Sequence, residues 1–372
     1  MRIGVTILLL TSALVAGAQP GNDGWPLFRG DQALTGVAHT QLPDSPQLLW
    51  TYPGNSRTVS SPVAMDGIIC FGDNEGLLHA VRASDGRRVW MYETGSVIEA
   101  PPMIHDGSVI FGTLDGRIIS LNLRNGAEEW IYSADNQIKG SPNFLKRSDG
   151  TTLIMTGSYD HYMHAVDASN GRKVWMFETY NFINGTAAVT PEHVVFGGCD
   201  GLLWIVDPLT GEKIGSNPVD VYIAASPAIY DGTVFVGDYD GTLYAMDLAS
   251  GITIWQAEGR DHTSVIVSVP AVTREKVVVG SEDMHLGCYD TNSGSEIWSF
   301  RTNGRITGSP VIAGNRVLFG SRDSRIYILN LENGEEVWRF DAGRPISSTP
   351  AVVGDRFFVL TEDGRLMAFG AR

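Results

Sequence analysis

The sequence has few cysteines and few positive charges relative to negative ones. Its 372 residues include three cysteines, none adjacent to another, and 27 Lys and Arg against 42 Asp and Glu, which gives a net charge of -15. Binding to a nucleic-acid backbone depends on a basic surface, so this balance argues against a nucleic-acid partner. Beyond the first residues no apolar run approaches the roughly 18 residues that a membrane helix needs, and no membrane span is predicted.

The first residues have the pattern of a secretory signal peptide, which we assign to 1–18. Arg2 is followed by an apolar stretch from Ile3 to Val15 and by the small residues Ala16, Gly17 and Ala18. This stretch is too short to span a membrane and ends in an Ala-x-Ala cleavage signal. We expect an exported chain, periplasmic or extracellular, that begins at Gln19. No cysteine follows the small residues, so a lipid anchor is not expected.

One unit, Ser226 to Trp255, is repeated along most of the chain. It contains three short runs rich in β-branched and aromatic residues, which are separated by Asp-Gly and Ser-Gly turns, and a fourth run that ends in Trp255. This pattern predicts a meander of four antiparallel strands. The final Trp recurs at steps of 40 to 45 residues, as Trp50, Trp90, Trp130, Trp175, Gly215, Trp255, Trp298 and Trp338.

Two further marks have the same spacing. An opening proline recurs at Pro62, Pro102, Pro142, Ala187, Pro227, Pro270, Pro310 and Pro350. An acidic residue of the middle turn recurs at Glu75, Asp115, Asp160, Asp200, Asp240, Asp283, Asp323 and Asp363. A period near 40 with four strands per copy is typical of a β-propeller.

The two ends of the repeat predict how the ring closes. The last copy ends after its third strand, whereas the strand 48–52 has no copy before it. Pairing these strands gives an all-β, eight-bladed propeller over 48–372, which leaves no exposed sheet edge at the seam. We interpret 19–47 as an irregular arm that packs across the ring and buries Trp25, Leu27 and Phe28; the alternative is a peptide that docks a partner.

The tryptophans are predicted to be structural docking residues between neighbouring blades. Burial of one indole removes about 150–250 Å² from water, and its loss is expected to cost about 3–5 kcal/mol. Gly215 interrupts this series, so we expect its blade junction to be the weakest, with Trp204 filling part of the gap. Cys70, Cys199 and Cys288 fall in the first, fourth and sixth blades, which are not neighbours, and no disulfide is expected.

Candidate binding residues lie at one variable position beside the inner strands. It is flanked by a small residue and by a recurring isoleucine, and it reads Val59, Glu99, Lys139, Asn184, Ala224, Val267, Thr307 and Ser347. Glu99, Lys139 and Asn184 follow one another on consecutive blades. They form either a mutually paired, solvated channel lining or a site for a small polar ligand or a partner side chain.

A longer loop between the fifth and sixth blades supplies further candidates for the same top face. It carries Arg260, Asp261 and His262, and loops on a rigid scaffold are frequent sites of function. We add Arg305 to this set. The turn Asp238–Gly241 begins like a calcium loop but lacks the distal glutamate and the ligand spacing, so no metal site is predicted there.

Two segments resemble the tryptophan-docking motif of propellers with pyrroloquinoline quinone (PQQ) repeats. Both read Ala-x-Asp-x-x-x-Gly-x-x-x-Trp, from Ala165 to Trp175 and from Ala245 to Trp255. The resemblance covers nearly all of 19–372 and implies a fold shared by quinoprotein dehydrogenases and non-catalytic relatives. The dehydrogenases are longer, often carry an adjacent Cys-Cys pair and hold calcium beside a catalytic Asp. Size and layout are more similar to the BamB-like scaffolds of outer-membrane protein assembly.

The sequence therefore leaves two functional hypotheses. The first is an exported, non-catalytic scaffold that binds envelope or secreted proteins or peptides, with no cofactor and no catalytic residue. The alternative is a quinoprotein that binds PQQ with calcium and oxidises an alcohol or a sugar. A redox site needs converging polar groups around the cofactor.

Overall fold

The computed structural model describes residues 24–54, 56–219, 221–223, 225–260 and 264–371. Throughout these ranges the regular secondary structure is β-strand, arranged as eight antiparallel sheets of four strands, one of which gains a fifth strand. The described ranges contain no helix long and apolar enough to cross a membrane. The predicted signal peptide, 1–18, lies outside the described residues.

The strands follow one another in blade order. Two precede the blades, β1 (Val37–Ala38) and β2 (Gln47–Tyr52). Blade 1 has β3 (Val63–Met65), β4 (Ile68–Gly72), β5 (Leu77–Arg82) and β6 (Arg88–Glu93), and blade 2 has β7 (Met103–His105), β8 (Ser108–Gly112), β9 (Arg117–Asn122) and β10 (Glu128–Ser133). Blade 3 has β11 (Asn143–Lys146), β12 (Thr152–Gly157), β13 (Tyr162–Asp167) and β14 (Lys173–Glu178), and blade 4 has β15 (Ala188–Val189), β16 (Val194–Gly197), β17 (Leu202–Val206) and β18 (Lys213–Pro218).

The second half of the ring repeats this order. Blade 5 has β19 (Ala228–Tyr230), β20 (Thr233–Gly237), β21 (Leu243–Asp247) and β22 (Thr253–Ala257), and blade 6 has β23 (Ala271–Val272), β24 (Lys276–Gly280), β25 (His285–Asp290) and β26 (Glu296–Arg301). Blade 7 has β27 (Val311–Ala313), β28 (Arg316–Ser321), β29 (Arg325–Asn330) and β30 (Glu336–Asp341). Blade 8 has β31 (Ala351–Val353), β32 (Arg356–Leu360) and β33 (Leu366–Gly370), and β2 is its outer strand.

The ring closes as the repeat predicted. Strand β2 pairs antiparallel with β33, with Gln47 opposite Gly370 and Tyr52 opposite Leu366. The eight-bladed propeller is therefore confirmed, with the strand from the beginning of the chain completing the last blade. We call the face that carries the middle turns and the loops between blades the top face, and the opposite one the bottom face.

Each repeated Gly-x-x-x-Trp segment serves two different junctions. The indole donates a hydrogen bond of 2.8–3.1 Å from Nε1 to a carbonyl of the following blade, as Trp130 does to Ala168. Its ring lies against the turn glycine of that blade, where a Cβ would be only 2.5–2.8 Å from ring atoms. Gly171 thus accommodates Trp130, whereas Trp175, four residues later, packs on Gly211. The six tryptophans with this hydrogen bond are Trp50, Trp90, Trp130, Trp175, Trp255 and Trp298.

The seventh tryptophan makes a different junction. Trp338 packs edge-to-face on Phe357 and Phe369 of blade 8, with ring centroids 6.0 and 5.6 Å apart. Edge-to-face aromatic pairs of this kind are favourable beyond the area that they bury. The junction between blades 7 and 8 is therefore also aromatic, although its geometry departs from the repeat.

The expectation that Trp204 fills the gap at Gly215 is wrong. Trp204 pairs with Ser216 in the sheet, whereas Gly215 pairs with Ile205, so the two residues lie on opposite faces of blade 4. Trp204 packs edge-to-face on Phe177 of blade 3, at 5.2 Å between centroids. The Asn217 side chain instead lies against Gly251, the glycine that faces an indole at the other junctions.

The arm over 24–46 packs across the bottom face and is bonded to every blade. Its hydrogen bonds of 2.6–3.0 Å are those of Trp25 with Ala64, Pro26 with Ile104, Gln32 with Asn143 and Val189, Ala33 with Ile229, Thr35 with Val272, Gly36 with Ile312, and Thr40 with Gly354. Strand β1 also pairs in parallel with β27. Trp25 and Leu27 are buried, as expected, whereas Phe28 is half-buried, and the arm is an integral part of the ring.

A fully buried arginine anchors the arm near the axis. Arg29 donates from Nη1 to the Pro310 carbonyl at 2.6 Å and from Nη2 to the Pro270 carbonyl at 3.2 Å. Burial lowers the pKa of its guanidinium to about 9, although Asp31 acts in the opposite direction. A buried charge is stabilised only when hydrogen bonds satisfy it, so these two carbonyls hold the arm in one position.

Replacing Gly215 should stabilise the protein. A Cβ at Gly215 would meet only the Ile205 Cδ1 atom, at 4.0 Å, so Gly215→Ala has room and removes the cost of a glycine in a strand. We expect a gain of about 0.5–1 kcal/mol in the free energy of unfolding, measured by urea denaturation. Gly241→Ala is the control: its φ is +87° and its Cβ would lie 2.5 Å from the Ser264 carbonyl oxygen, so it should lose stability. An unchanged midpoint for Gly215→Ala would contradict this account of the junction.

Candidate functional site

A pit of about 410 Å³ opens on the top face at the mouth of the central channel. Its walls come from the loops that enter the inner strands, and they bring together the predicted residues Glu99, Lys139 and Asn184. Val59, Val267, Thr307 and Ser347 of other blades also line it. Phe28 of the arm lines the pit as well, so the arm forms its floor. The remaining residue of this series, Ala224, lies outside the described residues.

The polar groups of the pit are paired with one another. The Lys139 Nζ atom lies 3.3 Å from a Glu99 carboxylate oxygen and 5.3 Å from the centre of the Tyr159 ring. The Tyr159 hydroxyl donates a hydrogen bond to the Asn184 side chain. Both members of the ion pair are about 30% exposed, and such a pair stabilises a protein only slightly. Opening it to receive a ligand therefore costs little.

Small hydroxyl residues make the wall of the pit rigid. At five of the eight blade junctions, the Ser or Thr just before the opening-proline position accepts a hydrogen bond from a backbone N–H of the preceding blade, as Ser226 does from Thr186 at 2.8 Å. The same contact joins Ser141 to Thr186, Val269 to Ser309, Ser309 to Thr349, and Thr349 to Ser61. These bonds fix the inner strands laterally, which keeps the variable residues above them in place.

Two other predicted residues line a separate cavity between blades 5 and 7. Arg260 and Arg305 border a space of about 680 Å³ together with Asp283, His285 and Arg301. Each of the two is already in an ion pair, Arg305 with Glu282 at 3.1 Å and Arg260 with Glu296. The structure thus divides the predicted set between two places on the top face. Asp261 and His262 lie outside the described residues.

The sequence prediction missed a line of aromatic side chains across the top of blades 3 to 5. We call it the aromatic stripe: Tyr159, Tyr180, Phe182, Tyr222 and Tyr239. Tyr180 is 78% exposed, and Phe182, Tyr222 and Tyr239 are each exposed by more than a third. Tyr159 and Tyr239 precede the acidic residue of a middle turn, and Phe182 and Tyr222 precede the recurring isoleucine. The sequence signal was therefore an aromatic residue at variable positions of the repeat, where the blades outside the stripe carry none.

Two buried hydrogen-bonded networks each contain an Asp, a His and a Tyr, the side chains of a catalytic proton relay. His79 Nε2 lies 2.9 Å from Asp73 and its Nδ1 lies 3.1 Å from the Tyr52 hydroxyl; His164, Asp160 and Tyr132 repeat the arrangement. His79 and His164 are each only 2% exposed. Because each chain joins one blade to the outer strand of the preceding blade, it links blades rather than facing a substrate.

The Asp238 carboxylate is occupied by hydrogen bonds within its own blade. Asp238 accepts bonds from the backbone N–H groups of Asp240 and Thr242, at 3.0 and 2.9 Å, and from the Tyr244 hydroxyl at 3.1 Å. Among the residues that the structure describes, no group of three or more His, Cys, Asp and Glu side chains is placed to hold a metal ion. The turn at Asp238 thus has the bonding of a hairpin turn.

A family model described as "Outer membrane protein assembly factor BamB" matches the chain over residues 41–180, 159–286 and 282–372. The chain belongs to this family of PQQ-repeat propellers. A solved structure of BamB from Moraxella catarrhalis is 18% identical, covers 88% of this chain and 98% of its own, and superposes with a TM-score of 0.74. At that identity the likeness concerns the fold.

Quinoprotein enzymes are also similar to this propeller. The quinohemoprotein alcohol dehydrogenase of Comamonas testosteroni is 15% identical, with a TM-score of 0.79 over 95% of this chain and 82% of the enzyme. The quinohemoprotein alcohol dehydrogenase ADH-IIG of Pseudomonas putida is 30% identical over 118 residues, 29% of this chain. The chain spans only 16% of that enzyme's length.

The donors of the pit do not fit a quinone held by calcium. Calcium takes about six to eight oxygen ligands, with carboxylates among them. Among the described residues that line the pit, Glu99 is the one carboxylate, and it is paired with Lys139. We therefore derive no redox step at this site.

The three thiols should differ in reactivity. Cys70 and Cys288 are buried, and burial raises the pKa of both, that of Cys288 to about 12. Cys199 is partly exposed beside the stripe, and its pKa is raised by burial and then by Asp200. We expect one thiol of the native protein to react with Ellman's reagent, at a rate that still rises above pH 9, and all three to react in guanidinium.

Cys199→Ser is the control for that measurement and should abolish the native reaction. A native protein in which two or three thiols react rapidly at neutral pH would contradict this assignment, because a thiol reacts as its thiolate.

Proposed function

We propose that the protein is an exported, non-catalytic scaffold that binds segments of other proteins at the cell envelope through its top face. The observation that carries this proposal is the aromatic stripe, a group of exposed aromatic side chains on a rigid ring. Exposed apolar patches of this kind typically mark interaction surfaces, and aromatic residues supply much of the binding energy at interfaces. The family description, an outer membrane protein assembly factor, supports the same proposal.

The architecture is better suited to holding a binding surface in place than to catalysing a reaction. Hydrogen bonds between neighbouring inner strands and from the arm to every blade hold the loops in fixed positions. A surface that is ordered before binding loses little conformational entropy when a partner docks. The pit continues the stripe at Tyr159 and Lys139, and it can receive a side chain of the docked partner.

The alternative, a PQQ-dependent dehydrogenase, is favoured by the local identity with ADH-IIG. That identity covers a segment of 118 residues, and a shared repeat motif is enough to account for it. The lone, ion-paired carboxylate of the pit argues against the calcium site that such an enzyme requires. We therefore propose that the protein acts without PQQ.

Titration of residues 19–372 with PQQ and calcium should give no saturable heat in calorimetry and no cofactor absorbance after gel filtration. A quinohemoprotein dehydrogenase stripped of PQQ is the positive control. One-to-one binding at micromolar or lower concentration, abolished by Glu99→Gln and Asn184→Ala, would contradict the scaffold proposal.

Photo-crosslinking in intact cells should identify partner proteins on the top face. Benzoylphenylalanine in place of Tyr180 should give discrete crosslinked bands, whose partners are then named by mass spectrometry. The matched control replaces Asp231, an exposed residue of the same ring on the bottom face, with the same photoreactive side chain. Equal band patterns from both positions, or none from either, would contradict binding through the top face.

A further inference from the structure

We infer that the aromatic stripe takes an extended protein segment in which lysine or arginine side chains alternate with apolar ones. This inference rests on the proposed function and specifies the chemistry of the partner. Three observations carry it: the extent of the stripe over three blades, the sign of the surrounding charges, and two lysines of the chain itself that lie against aromatic rings.

The stripe extends across three blades as two pairs of rings and Tyr180. Tyr159 and Phe182 are stacked, with centroids 4.6 Å apart and planes 9° apart, and Tyr222 and Tyr239 lie 4.4 Å apart. Cys199 lies in the middle turn of blade 4, the blade between the two pairs, and its backbone N–H donates to the Phe182 carbonyl at 2.9 Å. A partner that follows the stripe therefore crosses blade boundaries. An extended chain can do so, whereas a single side chain bound in a pocket cannot.

Carboxylates surround the stripe. Asp240 is exposed next to Tyr239 in the chain, and Glu178 is exposed two residues before Tyr180. Asp200 accepts a hydrogen bond of 3.2 Å from the Tyr180 backbone N–H, and Asp135 donates its backbone N–H to Asp160, the neighbour of Tyr159. The cation at the end of the stripe near the pit, Lys139, is already paired with Glu99. The net charge of the whole chain, -15, has the same sign. A cationic partner is therefore attracted both at long range and in contact.

The chain's own lysines show the contact that a partner can make. Lys139 lies 5.3 Å from the centre of the Tyr159 ring, and Lys213 lies 4.8 Å from that of Trp204. Such cation–π contacts contribute about 0.5–1 kcal/mol each at exposed sites. Tyr180 lies beside Trp204, at 5.6 Å between centroids, and is the most exposed ring of the stripe. It can receive a lysine or arginine from outside in the same way.

The packing of the rings favours a peptide over a glycan strand. A sugar ring stacks on an open aromatic face, but Phe182 covers one face of Tyr159 while Lys139 lies over the ring. Tyr159 and Phe182 therefore present mainly the edges of their rings to a partner. Apolar side chains pack against edges, and ammonium or guanidinium groups reach the carboxylates beside them.

The probe is a fluorescein-labelled, C-amidated peptide, Lys-Phe-Lys-Leu-Lys-Phe, titrated with residues 19–372 and followed by anisotropy. We expect saturable one-to-one binding that weakens as sodium chloride increases. Tyr180→Ala and Asp240→Asn should each weaken it at least fivefold. Ile252→Ala, which removes another exposed apolar side chain of blade 5, and Asp231→Asn, which removes a carboxylate from the bottom of that blade, are the matched controls and should leave affinity unchanged. Unchanged thermal unfolding of each variant excludes misfolding.

Three results would overturn the inference. They are equal binding of a peptide with Glu in place of Lys, affinity unchanged by both Tyr180→Ala and Asp240→Asn, or Tyr180-dependent binding of chitohexaose without binding of the basic peptide. The crosslinking experiment separates this inference from the proposal on which it rests. Crosslinks from position 180 that persist while the basic peptide fails to bind reject only the partner chemistry, whereas loss of both rejects the scaffold as well.

Discussion

The ring depends on one contact that is repeated between blades: an indole laid on the turn glycine of the next blade and bonded to a carbonyl there. The contact is made at six of the eight junctions. Because the glycine and the tryptophan of one Gly-x-x-x-Trp segment serve different junctions, a blade that makes both contacts is incomplete without both of its neighbours. A single blade has no means of burying its own indole. The stability of the propeller therefore comes from neighbour-to-neighbour interfaces, and closure of the ring supplies the last one.

The periodic part of the molecule could be predicted from the sequence, since a side chain that recurs every 40 residues must meet the same environment eight times. This holds for the blade count, the tryptophans and the closing strand β2. Trp204 was misjudged although the reason is visible in the sequence. Trp204 and Gly215 lie on the two strands of one hairpin, where Trp204 is opposite Ser216 and Gly215 is opposite Ile205. These two pairs are neighbours in the sheet, and the side chains of neighbouring pairs point to opposite faces.

The candidate site could be predicted only in part. Glu99, Lys139 and Asn184 occupy a repeat position, so their meeting at the pit followed from symmetry. Arg260 and Arg305 were assigned to the same face but lie in a different cavity, because their radial position depends on the path of each loop, which the repeat does not specify. The residues of the aromatic stripe occupy variable positions of the repeat, where no residue type is required by the fold. They converge only when three blades are placed side by side.

The route of the arm also constrains how the chain reaches this structure. Its hydrogen bonds reach every blade, and β2 can pair with its neighbour only once β33, the last strand of the repeat, is in place. Contacts between residues so distant in sequence slow folding, because the loop between them must close before they stabilise anything. The arm and β2, which precede the blades in the chain, are thus the last to reach their places. Until then the partly formed ring exposes two sheet edges and an open channel, and these are the surfaces through which such an intermediate aggregates.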